Sequence, residues 1–448
     1  MRNQTFGELD LDQVRKHMVA AGVDRLYAKF LAANDNSKNQ PYFGGDFSAL
    51  NIFPAGKPEA SNTSSYAAGI FKARLNFAWL ADDGTISPAP NAKLILYPQY
   101  PEVRFSGYLS GSGNAPSMWM GSTRIPNRVL LLGVTRVGQI VGYAAGPESS
   151  IANEVRSLDN LQSFGIFLQI PLAPSDSASA DRSTLLMELC RIAQRGWITS
   201  KRLSAEGNSV PCRAPNCGGY TLEAELGITP NGYSEPDYRG WEVKQHGVND
   251  FVTYKGGVIT LMTPEPTAGL YKTDGVVSFV KEFGYKDPDR FDRRNFGGTH
   301  RSGAVCERTG LTLTLGGYDP VKRKITDAKA GISLIDKAGR AAATWLYADL
   351  LAHWNRKHAI AAYVPSISRS DVDREYRYAS KVRLGTGTDF SKFLDAVFTG
   401  KIYYDPGIKV ENYSSIPKTK RRSQFRIKST DLSGLYNSME TVDACEDG

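Results

Sequence analysis

At 448 residues the chain is too long for one ordinary hydrophobic core, which sets an expectation of two domains. Its 41% hydrophobic and 22% charged residues are the balance of a soluble globular protein, and a net charge of +8 permits a polyanionic partner without requiring one. No apolar run is long enough to cross a bilayer. The opening MRNQTFGELDLDQVRKHM lacks the basic-then-apolar order of a secretion signal, so no membrane partner and a cytoplasmic address are expected. The five cysteines form no paired zinc motif: Cys212 and Cys217 are close in sequence, while Cys190, Cys306 and Cys445 stand apart, and reduced thiols are the expectation.

In chain order, LDLDQVRKHMVAAG reads as a helix with Leu11, Val14, Met18 and Val19 on one face and Gly22 near its end. NAKLILYPQY, RVLLLGVTRVGQIVGYAA and FGIFLQIPL are apolar, β-branched runs divided by turn-forming residues, so residues 1–172 are expected to be mainly β, with a second short helix over 147–158. The small polar residues of APSDSASADRS, 173–183, have the composition of a linker. Beyond it STLLMELCRIAQRGWI reads as an amphipathic helix capped by Ser183. YRGWEVKQ, GGVITLMT, GLTLTLGGY and GISLID read as strands, with helices over AAATWLYADLLAHWNRKHA and DFSKFLDAVFTG. This alternation over 184–448 predicts an α/β (α+β) domain with a central mixed sheet.

TLEAELGITPNGYSEPDYRGWEVKQHG contains Pro236-Asp237 and, four residues on, Glu242-Val243-Lys244. On a strand Glu242 and Lys244 point the same way, and Arg239-Gly240 allows a bend that brings Asp237 to the same point. Carboxylates are hard ligands for Mg²⁺, and an ammonium beside them can stabilise charge developing on a phosphate and position an attacking water. Glu223, expected at the start of a helix packed beside the sheet, offers a third carboxylate or a ligand for a second ion. A Glu-x-Lys triplet alone is commonplace on solvated strands, where it makes a cross-strand ion pair. The larger arrangement is what distinguishes this one.

NCGGYTLEAELGITPNGYSEPDYRGWEVKQ resembles the catalytic core of the MvaI/BcnI restriction endonucleases and of their relative MutH, a mismatch-repair nicking enzyme. The shared pattern is T-L-E, a helix ending in L-G-I, an Asn-containing loop, P-D and a W-E-x-K strand. The gap from Asp237 to Glu242 matches the MvaI type better than the longer gap of MutH. The resemblance implies a nuclease of the PD-(D/E)XK class, with Glu223, Asp237, Glu242 and Lys244 in its active site. It further implies Mg²⁺ as cofactor, double-stranded DNA as substrate, a monomer that nicks the two strands in turn, and a restriction system that includes a cognate DNA methyltransferase. FLDAVFTGKIYYDPGIKVENYSSIPKTKRRSQFRIKSTDLSGLY resembles the family's carboxy-terminal part, in which a loop reaches into the DNA groove. The likeness covers residues 184 to 440 and is patchy between 250 and 380.

Lys409, Lys418, Lys420, Arg421, Arg422, Arg426 and Lys428 crowd that last segment, which is suited to phosphate and guanine contacts. KDPDRFDRRNFGGTHRSG, with Arg290, Arg293, Arg294, His300 and Arg301, is expected to be a second, backbone-contacting loop, with Asp287, Asp289 and Asp292 placed to pair some of these cations away. Near the amino terminus RLYAKFLAANDNSKNQPYF is similar to the DNA-recognition pseudobarrel of EcoRII-like enzymes through Tyr27, Lys29, Leu31, Asn34 and Asp35. In YPQYPEVRFSGYL, Tyr97, Tyr100, Arg104 and Tyr108 form either a pocket for a flipped or modified nucleotide or a packed β-core with a surface Arg. The expected function is site-specific double-strand cleavage. The alternatives are a modification-dependent or nicking nuclease with residues 1–172 as sensor, and a catalytically silent DNA-binding protein, against which the intact Asp237, Glu242 and Lys244 argue.

Overall fold

The computed structural model describes residues 9–33, 40–63, 66–100, 102–121, 125–159, 161–172, 178–214, 216–229, 238–370 and 373–447. The chain divides into two compact units, Met1–Ser61 with Ile70–Arg182, and Asn62–Gly69 with Ser183–Gly448. No helix among the described residues is long and apolar enough to cross a membrane.

The first unit is built on a seven-stranded sheet at whose centre Val23–Leu31, Arg128–Thr135 and Ile140–Ala145 lie side by side. On one face Leu11, Val14 and Met18 of helix Leu11–Ala20 and Ile151 and Val155 of helix Ser150–Ser157 pack against Leu26, Val129, Leu131 and Val141. Arg15, paired with Asp12 at 2.8 Å, completes the first helix's inner side, while Val19, expected there, is 53% exposed. Tyr27 and Phe167, on the same sheet, belong to an aromatic cluster in which Phe43 stacks on Phe105 at 4.9 Å and meets Phe167 edge-on at 5.1 Å. With both faces covered, Arg128–Thr135 is buried at every residue, which is why it reads as an unbroken apolar run rather than an alternation.

The main segment of the second unit, from Ser183 on, carries most of helix α1 (Ala178–Gln194), followed by helix α2 (Cys217–Glu225). α1 begins five residues before Ser183, which therefore lies inside the helix and does not cap it; the small residues Ala178-Ser179-Ala180 are compatible with a helical first turn. The core sheet comprises β1 (Glu242–Gly247), β2 (Ile360–Ser370), β3 (Arg374–Tyr378), β4 (Lys381–Thr386) and β5 (Ser438–Asp443), with the short Ile198–Thr199 beside β3. β2 runs parallel to β1 and antiparallel to β3 and β4, and β4 pairs antiparallel with β5. One face is apolar. Leu185, Leu186, Leu189 and Ile192 of α1 and Leu222 of α2 cover Val243, Ala362, Val364, Val382 and Leu384. Glu225 binds the two helices together: its buried carboxylate lies 2.6 Å from both Arg195 and Lys201.

Two sequence expectations are corrected here. AAATWLYADLLAHWNRKHA is not one helix: Ala341–Leu346 is a strand antiparallel to Gly331–Ile335, and the helix spans only Tyr347–His358. Pairing overrides the helical preference of the three alanines. The thiols are also not all reduced. Cys190 is bonded to Cys445 and Cys212 to Cys217, leaving only buried Cys306 free among the cysteines. The first pair ties α1 to the chain end across a sequence separation of 255, a closure that bears on the unfolded chain by on the order of 5 kcal/mol in the chain-entropy picture. Thiol titration of unfolded, unreduced protein should therefore find one reactive thiol per chain, and five after reduction. Five before reduction would refute both bonds.

Candidate active site

Alternation along β1 sorts its side chains onto two faces. Val243 enters the apolar core and Gln245 donates from Nε2 to Ser366 Oγ at 2.7 Å, while Glu242, Lys244 and His246 share the other face. Among the described residues β1 pairs in this sheet with β2 alone, so Glu242 lies at the sheet's border. Just ahead of it Tyr238 and Trp241 exchange backbone hydrogen bonds of 2.9 and 2.7 Å around Arg239 (φ 46) and Gly240 (φ 86). Positive φ at both central residues defines a type I′ turn, the bend expected at this dipeptide.

Glu242 is 3% exposed. Lys244 Nζ donates to its Oε1 at 2.8 Å, whereas its Oε2 is buried and has no hydrogen-bond partner among the described residues. A carboxylate oxygen withdrawn from water without a donor is costly, and a hard cation is the ligand such an oxygen suits. Among the described residues no three His, Cys, Asp or Glu gather closely enough to hold a metal ion, and Asp237 lies outside those residues. Glu223 is half-buried in the last turn of α2 rather than at its start. That helix packs on the far side of β1: a Cβ at Gly218 would stand 2.8 Å from Gln245 Oε1.

Residues that sequence reading passed over stand around the pair. In register, Lys244 faces Tyr363 of β2, which faces Arg383 of β4. The Tyr363 and Tyr436 hydroxyls are 2.8 Å apart, and burial pushes the Tyr363 phenol up to about 12, so it stays protonated beside Glu242. Arg383 donates to the Ser429 carbonyl at 2.6 Å. No local pattern reveals these groups, because each is brought to β1 by a long-range strand pairing.

The basic residues divide in two. Lys418, Arg421 and Arg422 are exposed, as is Lys420, which pairs with Glu411 at 3.1 Å; Lys409 is half-buried on Gly407–Glu411. Arg426 is held by Asp405 at 2.5 Å and Arg293 by Asp287 at 3.0 Å, and Arg294 donates to the carbonyls of Lys281 and Gly284. The stretch expected as a loop is ordered as Tyr285–Lys286 and Arg293–Gly297, and His300 is fully buried between Phe296 and Tyr404. A cleft of about 760 Å³ lies beside this sheet, with Arg293, Arg308, Lys409, Glu307 and Asp405 in its wall; neither Glu242 nor Lys244 lines it.

In the first unit Tyr108 is buried, stacked on Phe105 with its hydroxyl on the Met120 carbonyl, and Tyr97 is also buried. These two are core, as the packed-core alternative had it. Tyr100 is 60% exposed, and Arg104 lies over the Tyr42 ring and pairs with Glu102 at 3.0 Å. Tyr27 and Leu31 are buried, burial lowers the Lys29 ammonium to about 8, and Asn34 and Asp35 lie outside the described residues.

The strand carrying Glu-x-Lys at the border of a mixed sheet accords with the class that the family comparison shows, a DNA-cleaving hydrolase of the restriction endonuclease type. The model of the MvaI/BcnI restriction endonuclease family matches residues 186–436, more than half of the sequence, and the chain belongs to that family. Among solved structures it is similar to MvaI in complex with its cognate DNA substrate (17% identity, TM-score 0.44) and to MvaI in the absence of DNA (16%, 0.33). Each alignment covers 60% of this chain and 99% of the other. No curated protein matches the sequence.

Burial, with Arg383 as the lesser cause, pushes the His246 imidazole down to about 4. The folded protein therefore keeps it neutral while the unfolded chain takes up a proton near 6.5. Its contribution is complete above pH 6.5 and is lost as pH falls toward 4. Between pH 7 and pH 5 this is worth about 2 kcal/mol. Urea unfolding of His246→Asn should show a correspondingly smaller loss over that interval than wild type, and equal losses would refute the assignment.

Proposed function

We propose that this chain is a Mg²⁺-dependent, site-specific endonuclease for double-stranded DNA, with Glu223, Asp237, Glu242 and Lys244 as its catalytic cluster, serving restriction of foreign DNA. The observation that carries the reading is the buried Glu242 carboxylate, one oxygen held by Lys244 and the other without a donor among the described residues. Asp237 is next in sequence to Tyr238, whose backbone pairs with Trp241, the neighbour of Glu242.

Glu242 and Asp237 would hold the cation, with Glu223 as a further carboxylate or the ligand of a second ion. When bound, the cation supplies Lewis-acid polarisation of the scissile phosphate and acidifies water. The Lys244 ammonium, fixed by Glu242, meets the charge that grows on the non-bridging oxygens as water attacks phosphorus, and it orients that water. Tyr363 and Tyr436, kept neutral by burial, add no charge to compete with it. Exposed Lys418, Lys420, Arg421 and Arg422, with Lys409, supply phosphate and base contacts. Arg293, Arg294 and Arg426, also candidates by sequence, reach DNA only by exchanging the internal partners described above. Residues 184–448 form the nuclease and 1–172 an accessory unit for DNA recognition or modification sensing, with Tyr100 and Arg104 among its candidate contacts; of the connection expected over 173–183, residues 178–183 are the first turns of α1. The enzyme acts as a monomer in the cytoplasm, paired with a cognate methyltransferase that protects host DNA.

Lys244→Ala, Glu242→Gln and Asp237→Ala should each lower plasmid cleavage at least about 10³-fold while retaining DNA binding, and EDTA should abolish wild-type cleavage. Cleavage of modified plasmid alone would make the enzyme modification-dependent. A wild type that binds unmodified and modified DNA yet cuts neither in Mg²⁺ would overturn the proposal.

A further inference from the structure

Strand Arg293–Gly297 pairs antiparallel with Gly407–Glu411, Arg293 facing Glu411. The loop before the first strand, 287–292, and the loop after the second, 412–417, therefore emerge at the same end of one four-stranded sheet. They are joined: Ser414 N donates to Asp292 Oδ1 at 2.8 Å and Tyr413 N to the Asp292 carbonyl at 3.2 Å. Arg294 lies over the Tyr413 ring at 5.4 Å. Asp287 takes the Asn295 amide at 2.7 Å and the Arg293 guanidinium at 3.0 Å. Arg293 and Arg294 are thus braces of two joined tips.

Each tip ends in an apolar side chain turned to water, Phe291 at 103% exposure and Ile416 at 80%. Isolated apolar residues on a surface are ordinary. Two on adjoining braced tips, bordered by exposed Arg290, Lys418, Lys420 and Arg421, are a different object. The acids nearby are mostly engaged: Asp287 and Asp292 within the tips, Glu411 with Lys420 at 3.1 Å and more distantly with Arg290 at 3.8 Å, while Asp289 is exposed. Cations beside a projecting apolar group are what a duplex requires of a side chain entering its stack: the cations hold phosphates while the apolar group displaces water from between bases.

Resting on the proposal that this chain binds duplex DNA, we propose that Phe291 and Ile416 are paired wedges that insert at a base step, unstack it and untwist the duplex around the bound enzyme. Phe291, with its planar ring, is the principal wedge and Ile416 its support. Untwisting makes some steps easier to enter than others, so the tips add sequence preference through deformability rather than through base-edge hydrogen bonds.

Insertion changes DNA twist, which can be read without knowing the target sequence. Closed circular plasmid is incubated with the Lys244→Ala protein, relaxed with a type I topoisomerase, stripped of protein and resolved on a gel. Linking number should fall in proportion to protein bound. Adding Phe291→Ala and Ile416→Ser should remove most of that fall while band-shift affinity changes by no more than a few-fold, and Phe291→Trp should restore it. Binding with no change in linking number, or an undiminished change in the double variant, overturns the wedges and leaves the endonuclease reading standing. Failure to bind plasmid overturns both. Loss of self-association instead of unwinding in the double variant would make the tips a protein contact and sink the proposal.

Discussion

The period-two alternation of one six-residue strand governs the nuclease unit. It obliges β1 to serve a dry core and a charged site at once. Val243 is packed under α1 and α2, and its neighbours Glu242 and Lys244 emerge on the opposite face. Because the apolar side is locked in register with Ala362 and Val364, the charged side cannot slip: a shift of one residue would bury the lysine in the core and expose the valine. The precision of the Glu242–Lys244 contact is thus inherited from hydrophobic packing behind it, and the energetic cost of a half-satisfied buried carboxylate is carried by the same packing.

Charge is handled differently in the two halves of the unit. Under the core sheet, Glu225 gathers cations from α1 and from the chain beyond it, and so holds the two helices in place. In the four-stranded sheet, Asp287, Asp292 and Glu411 are spent on fixing loops and neighbouring cations, leaving Lys418, Arg421 and Arg422 pointing to solvent. Which cations of this sheet face solvent is therefore set by the acids that engage their neighbours, not by a simple abundance of lysine and arginine.

What could be read in advance follows the range of the interaction responsible. The helices Leu11–Ala20, Ser150–Ser157 and Phe390–Phe398, the turn at Arg239-Gly240 and the shared face of Glu242 and Lys244 are decided by neighbours a few residues away, and all were legible. The strand Ala341–Leu346 was not, because its partner rather than its own alanines decides it. Nor were the bonds of Cys190 and Cys212, the Tyr363–Tyr436 contact, or the hold of the Lys281 and Gly284 carbonyls on Arg294, whereas the pairing of Arg293 with Asp287 was open to view in the acids of its own stretch. His300 reads as one more basic residue in a polar stretch, yet its ring fills a gap between Phe296 and Tyr404, a fact that resides in the packing.

The strand that carries the acid–lysine pair has its partner far down the chain: Glu242 lies opposite Ala361, and Gly247 opposite Ser366. A ribosome emitting this polypeptide from its amino terminus releases β1 long before β2 exists, and loop closure over such a span must precede any ordering of the site. Until then Glu242 and Lys244 lack the strand that fixes their register. An unfinished copy, stalled or truncated before β2 is complete, carries every sequence motif of the cluster without its geometry. For an enzyme that cuts DNA, that delay separates the making of the chain from the onset of its capacity to do damage, and it arises from strand order alone.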